Sequence, residues 1–346
     1  MKFALFTHVP WPEGTDPQRV FEETIVEFKY AEELGFHSAW MAEHHFTRYG
    51  LGSSSMVLAA AIAQRTKTIR LGSAVLLPSI QNPVRLAEDT ATVDLLSGGR
   101  LDVGLGRGTN GYEFTGFNVP WEESQGRYRE GVAMIKGLWS NREFSFEGEY
   151  FSADRLSLVP PPMQKPHPPL YLAATLTQAT LEFVSTMGHP LMIGVVLDTV
   201  NAVDLCQRFV SMSQKSGHDI PMSSIPFFRY FWVAETEEQA RKGAAEGLNW
   251  TLDMLQWRRT FTNGSEVYHR LDDWRSTRTE APVTAEYLME NRAIVGTPEQ
   301  CVAKIKDLQR QGIEYFGCNF SFGGMEHGRL IKSMKLFAEE VMPHFS

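Results

Sequence analysis

Eight short apolar runs, spaced by helix-length stretches, most constrain what this chain can fold into. They fall at 3–7, 38–41, 69–77, 101–106, 170–173, 191–193, 227–233 and 314–320. Runs this short and apolar are the pattern of buried strands. Between them the spacing turns helical. Phe21, Ile25, Phe28 and Ala31 recur at helical intervals over 17–34, and Gly35 follows as a stop. Residues 54–65 are Ala-rich, Asn82-Pro83 opens a third helix that halts at Ser97-Gly98-Gly99, and another spans 121–139. Strands alternating with helices predict a parallel (β/α)8 TIM barrel. The 346 residues suit one such domain with insertions, since the fold takes roughly 250 residues at its simplest.

Two insertions stand out. Residues 144–159 alternate and carry Glu147-Gly148, which predicts a hairpin, and the proline-rich 160–169 reads as a surface crossing. Residues 257–293, between the seventh and eighth runs, lack clean periodicity and are expected to form a mobile lid.

In such barrels the site lies at the C-terminal ends of the strands. The second run leads into Trp40-Met41-Ala42-Glu43-His44-His45-Phe46. Imidazoles there suit proton chemistry near neutral pH; a hydrogen-bonded structural corner explains the same residues. Ala74 and Val75 end the third run. Gly104-Leu105-Gly106-Arg107-Gly108-Thr109-Asn110-Gly111 follows the fourth. Glycines admit close backbone approach and arginine grips phosphate oxygens, although glycine-rich barrel loops are common without a ligand. After the fifth run, Ala174-Thr175-Leu176-Thr177 leads into a helix containing Thr180. Its N-terminus could attract an anion, or the threonines could simply cap it. Arg127 is either a second phosphate cation or a solvated helix residue.

Other chemistries find less support. There is no His-x-His, no His-Glu-x-x-His and no Gly-x-Ser-x-Gly. His44 and His45 are chain neighbours, so their side chains face opposite ways in an extended segment. Cys206, Cys301 and Cys318 have no metal or redox spacing and suit a reducing cytoplasm. Net charge is −8, without a basic run, which argues against nucleic acid. No membrane-length apolar stretch or signal peptide is visible, so a cytoplasmic protein is expected.

With these residues in place, the chain resembles the bacterial luciferase-like family of flavin-dependent monooxygenases. The resemblance rests on Glu43-His44-His45-Phe46, Pro83-Val84-Arg85 with Glu88-Asp89, Gly99-Arg100 with Gly106-Arg107-Gly108, and the tail from Val295-Gly296-Thr297-Pro298-Glu299 through Ser333-Met334-Lys335-Leu336-Phe337. That tail is similar to the luciferase catalytic subunit's. The resemblance implies reduced FMN delivered by a separate flavin reductase, molecular oxygen, a C4a-peroxyflavin and a small organic substrate, with aromatics such as Phe6, Trp40, Phe46, Phe114, Trp232 and Trp250 available for an apolar pocket. It makes His44 the catalytic residue, with Glu43 and His45 in support. It assigns Arg107 and Arg127 to the FMN phosphate, with Ala174, Thr175, Leu176, Thr177 and Thr180 in the phosphate turn. It implies a cis peptide at Ala74–Val75 under the flavin. Gly106 replaces the luciferase cysteine, so light emission is not implied, and the missing side chain could leave room for another substrate. Family members often pair through helices two and three, where Ala59-Ala60-Ala61 offers a small-residue face, so a homodimer is expected. A deazaflavin (F420)-dependent oxidoreductase and a non-catalytic flavin-binding protein are the alternatives.

Overall fold

The computed structural model describes residues 1–175, 177–257 and 283–345. Leu176 and 258–282, which make up most of the expected lid, lie outside the described residues.

All eight expected runs are strands: β1 Lys2–Thr7, β2 Ser38–Met41, β3 Arg70–Leu76, β4 Leu101–Leu105, β7 Leu170–Ala173, β8 Leu191–Met192, β9 Phe227–Val233 and β11 Tyr315–Ser321. The expected hairpin is present as antiparallel β5 Phe144–Glu147 and β6 Ser152–Leu156. Parallel pairing runs β9-β11-β1-β2-β3-β4-β7-β8. The ring closes where Ile193 bridges Phe227 in parallel: Ile193 N–H donates to Pro226 O at 3.0 Å and Phe228 N–H to Ile193 O at 2.9 Å.

One strand was not anticipated. β10, Ala293–Gly296, pairs in parallel with Tyr230–Val233 of β9. β8 has only two residues, so it reaches β9 only at that first bridge. The edge of β9 above it would leave buried amides and carbonyls unpaired, at a cost comparable to lost hydrogen bonds. β10 takes that edge.

The barrel interior is filled by aromatic side chains that two glycines accommodate. Trp40 is fully buried, and a Cβ at Gly72 would lie 2.1 Å from its indole. Phe228 stacks on Phe6 at 4.7 Å, and a Cβ at Gly317 would lie 2.0 Å from it. Larger residues at either glycine would overpack the core.

Of the helices that matter for the site, α3, Pro83–Leu96, starts where its cap predicts. It begins after Asn82, whose side chain accepts from the amides of Val84 and Arg85. α2 is Ser55–Ala63, α5 is Ser124–Ser140 and α6 is Gln178–Ser185. A six-residue helix, α4 at Gly111–Gly116, was not expected after the glycine-rich loop. No described helix is long and apolar enough to cross a membrane.

Candidate active site

β2 ends at Met41, and the chain then carries Glu43, His44 and His45 over the C-terminal mouth of the barrel. Their side chains part ways. His44 is about one-fifth exposed, and its Nδ1 lies 3.3 Å from Glu113 Oε1. Glu113 comes from α4 and is buried. It also accepts the His45 backbone N–H at 3.2 Å and Asn110 Nδ2 at 2.9 Å. Burial by itself would raise the Glu113 carboxyl. The contact with His44 and the two further donors outweigh that and hold it below the ordinary glutamate range. Glu113 therefore stands as a carboxylate that orients His44 and favours its charged form.

The far side of the His44 ring is also confined. Its face stacks near His8 at 5.9 Å and its edge meets Tyr49 at 5.1 Å. Gly50 presses its backbone against it, where an added Cβ would lie 3.2 Å from His44 Cβ.

Glu43 has a structural task. One oxygen accepts the Ser55 amide at 3.0 Å and its hydroxyl at 2.7 Å, capping α2. The other accepts Gln81 Nε2 and lies 3.5 Å from His45 Nε2. His45 points away from His44, as strand alternation requires, and its ring meets Phe117 at 4.7 Å.

Below His44 opens a cavity of about 130 Å³. Of the residues singled out in the sequence, Glu43, His44, Ala74, Val75, Gly106, Arg107, Gly108, Ala174, Thr175 and Thr180 line it. His45, Arg127 and Thr177 are not among its lining residues. Thr109, Asn110 and Ala173, from the strand-end segments singled out in the sequence, also line it, and the lining residues that sequence reasoning missed are Leu77 and Glu113. Glu113 had a faint signal, an Asn three residues before it at the edge of a glycine-rich loop.

The Ala74–Val75 peptide is cis. The space expected beside Gly106 is not vacant: a Cβ there would come within 2.4 Å of Val75 Cγ2. Val75 fills the volume that a cysteine side chain would need.

Elsewhere at the cavity the polar groups have capacity to spare. Arg107 is half-buried, and its guanidinium makes one hydrogen bond, to Ser124 Oγ at 3.2 Å, and lies over Trp121 at 5.0 Å. No carboxylate pairs with it among the described residues. Thr177 is the N-cap of α6 but makes no side-chain capping bond; the Thr180 amide donates to Thr177 O at 3.1 Å, which leaves the amides before it for an anion. Thr180 Oγ1 donates to Gln125 Oε1 at 3.1 Å, while Gln125 Nε2 is buried without a partner. Arg127 differs. Its Nε pairs with Glu123 at 2.7 Å, one helical turn earlier on the same face, and its guanidinium lies against Tyr150 and Phe151.

A confined His–Glu pair, Arg107 and the threonines at the start of α6 thus share one cavity at the barrel mouth. The chain belongs to the luciferase-like monooxygenase family, whose model matches residues 1–315. It is 28% identical to the oxygenase component of the flavin-dependent trigonelline monooxygenase of Acinetobacter baylyi, over 100% of this chain and 96% of that protein. Monooxygenase RslO1 from Streptomyces bottropensis superposes with a TM-score of 0.86 at 27% identity, covering 100% of both chains. The oxygenating constituent of 3,6-diketocamphane monooxygenase from Pseudomonas putida, in complex with FMN, shares the fold at a TM-score of 0.81 and 18% identity, covering 99% of this chain and 98% of that one.

Proposed function

We propose that this chain is the oxygenase of a two-component, cytoplasmic monooxygenase. It takes reduced FMN from a separate flavin reductase and uses it with O2 to oxygenate a small, apolar, carbonyl-bearing organic substrate. The observation that carries this reading is that two features line one cavity: the His44–Glu113 pair, and Arg107 with Thr175 and Thr180 at the start of α6.

The residues fit the cofactor. Arg107, Thr175, Thr180 and the first amides of α6 would hold its phosphate, and the orphaned Gln125 Nε2 is one more donor beside Thr180. Ala74, Val75, Gly106 and Ala174 would meet its ring system with apolar surface. Reduced flavin, when bound, supplies the two electrons that split dioxygen between substrate and water. His44 handles the proton. With Nδ1 oriented by Glu113, Nε2 is the nitrogen that gives or takes it. Glu43 and His45 fix the loop that presents His44. A homodimer through α2 and α3 is part of the proposal, supported by the small-residue surface of α2 and by its strongly exposed Val57.

The test supplies FMN, a flavin reductase, NADH and O2 with a panel of aldehydes and ketones. His44→Ala should keep FMN affinity while coupled oxygenation falls about 10²- to 10⁴-fold, with hydrogen peroxide released instead. Unchanged turnover would remove His44 from the chemistry. Tighter binding of F420 than of FMN, with oxygen-independent turnover, would replace the oxygenase reading with a deazaflavin oxidoreductase. FMN binding with no oxygen-dependent product on any substrate would leave a flavin-binding protein.

A further inference from the structure

Outside the site, β9 carries a fully buried arginine whose charge the described protein does not balance. Arg229 is 0% exposed. Its Nη1 donates to Gly194 O at 3.1 Å and to Phe228 O at 2.9 Å, and its guanidinium lies 4.1 Å from the centre of the Phe227 ring. Nε and Nη2 are buried and have no partner. These two nitrogens share one edge of the guanidinium, the edge that receives an anion in forked geometry.

The charges around it do not sum to zero. The groups acting on Arg229 are Cys206, Arg292, Asp198 and Tyr230. Burial pushes the Cys206 thiol up to about 12, so it remains neutral. Asp198 is already committed, with Oδ1 accepting Arg292 Nε at 2.6 Å and Oδ2 accepting the Tyr287 hydroxyl. Two arginines thus face one carboxylate. A buried ion without a counter-charge costs several kcal/mol, and unmet buried donors add to that cost. Burial pulls the Arg229 guanidinium down to about 9, which leaves it charged at neutral pH.

We propose that the Nε–Nη2 edge of Arg229 is a structural site for one small monovalent anion of the chloride class, which neutralises the cluster and ties β9 to the turn at Gly194 after β8. Complete burial selects a single compact ion over phosphate or an organic carboxylate. The site is separate from the catalytic cavity, and none of its residues lines that cavity.

The direct test is a crystal grown in sodium bromide, with data collected at the bromine edge. An anomalous peak within hydrogen-bonding distance of Arg229 Nε and Nη2 is expected. Ordered water there without an anomalous signal would overturn the proposal. The second test is Tm in chloride against gluconate at constant ionic strength. Wild type should gain about 2 °C per tenfold rise in chloride above half-saturation, and Arg229→Met should not respond. An anomalous peak without a chloride-dependent Tm response would mean binding at crystal concentration only, and that also overturns the proposal. Should Arg229→Met fail to fold, the wild-type diffraction and chloride titration decide by themselves.

Discussion

Arg100 and Arg107 stand at the two ends of one strand and are used in opposite ways. Both follow a glycine and both flank β4. Arg100, at the N-terminal end, spends its donors on the protein. Nε donates to Ser97 O at 2.7 Å, Nη1 to Thr66 Oγ1 at 3.0 Å and Ile69 O at 2.7 Å, and Nη2 to Ala63 O and Thr66 O, both at 3.1 Å. The Arg107 guanidinium, at the C-terminal end, makes a single hydrogen bond among the described residues. Their neighbours repeat the contrast. At the N-terminal face Glu32 accepts the amides of Lys67, Thr68 and Ile69; burial opposes its ionisation, but those bonds bring its carboxyl down to about 2. Arg70 grips Asp102 with two bonds, at 2.9 and 2.6 Å. At the C-terminal face, the Gln125 amide and the α6 N-terminus are left unspent. One end of the barrel uses its polar groups for cohesion, and the other leaves some of them unspent where we propose the ligand sits.

Arg100→Met should break the cohesive end. It strands several acceptors at once and should cost about 3–5 kcal/mol of stability, read as a lower urea midpoint with little change in m. Activity per folded molecule should hold. Arg107→Met is the converse. FMN affinity should fall about 10- to 100-fold, or about 1.4–2.8 kcal/mol, while the urea midpoint barely moves. Equal destabilisation by both substitutions would erase the distinction between the two ends.

The sequence made this contrast only half visible. Strand positions were legible because buried parallel strands are continuous apolar runs with little to imitate them. β10 was not, because Ala293–Gly296 is only four residues long and reads as the approach to the Thr297-Pro298 helix start. Its existence follows from the shortness of β8, a tertiary fact. Glu113 was missed because it meets His44 across 69 residues of chain, from a helix too short to show periodicity. Arg127 could have been read better, since Glu123 stands four residues before it on the same helix face. Nothing local separates Arg100 from Arg107; the difference lies in which carbonyls the fold brings to each.

Glu113→Gln should give a smaller effect, confined to the open end. The amide keeps the shape but loses the charge that favours protonated His44. The His44-dependent limb of the pH–rate profile should move to lower pH, and the rate at the optimum should fall about tenfold, roughly 1.4 kcal/mol. FMN affinity should be unchanged. A rate loss with no movement of the limb would reduce Glu113 to a spacer.

The smallest effect should come from a second pair at opposite ends of one strand, His37 and His44, which flank β2. His37 is partly buried beside Lys2 and Arg70. Burial first, and then those two positive charges, lower it to about 4. Its folded value lies below the unfolded histidine value of about 6.5, so the unfolded chain takes up this proton first as pH falls. The stability His37 contributes is therefore complete above about pH 6.5 and declines as pH falls toward 4. His37→Gln should flatten the loss of urea midpoint across that window and leave the pH–rate profile in place. His44→Ala should instead abolish the His44-dependent limb of the rate profile. Movement of the rate profile in His37→Gln would show that the two ends of the barrel are electrostatically coupled.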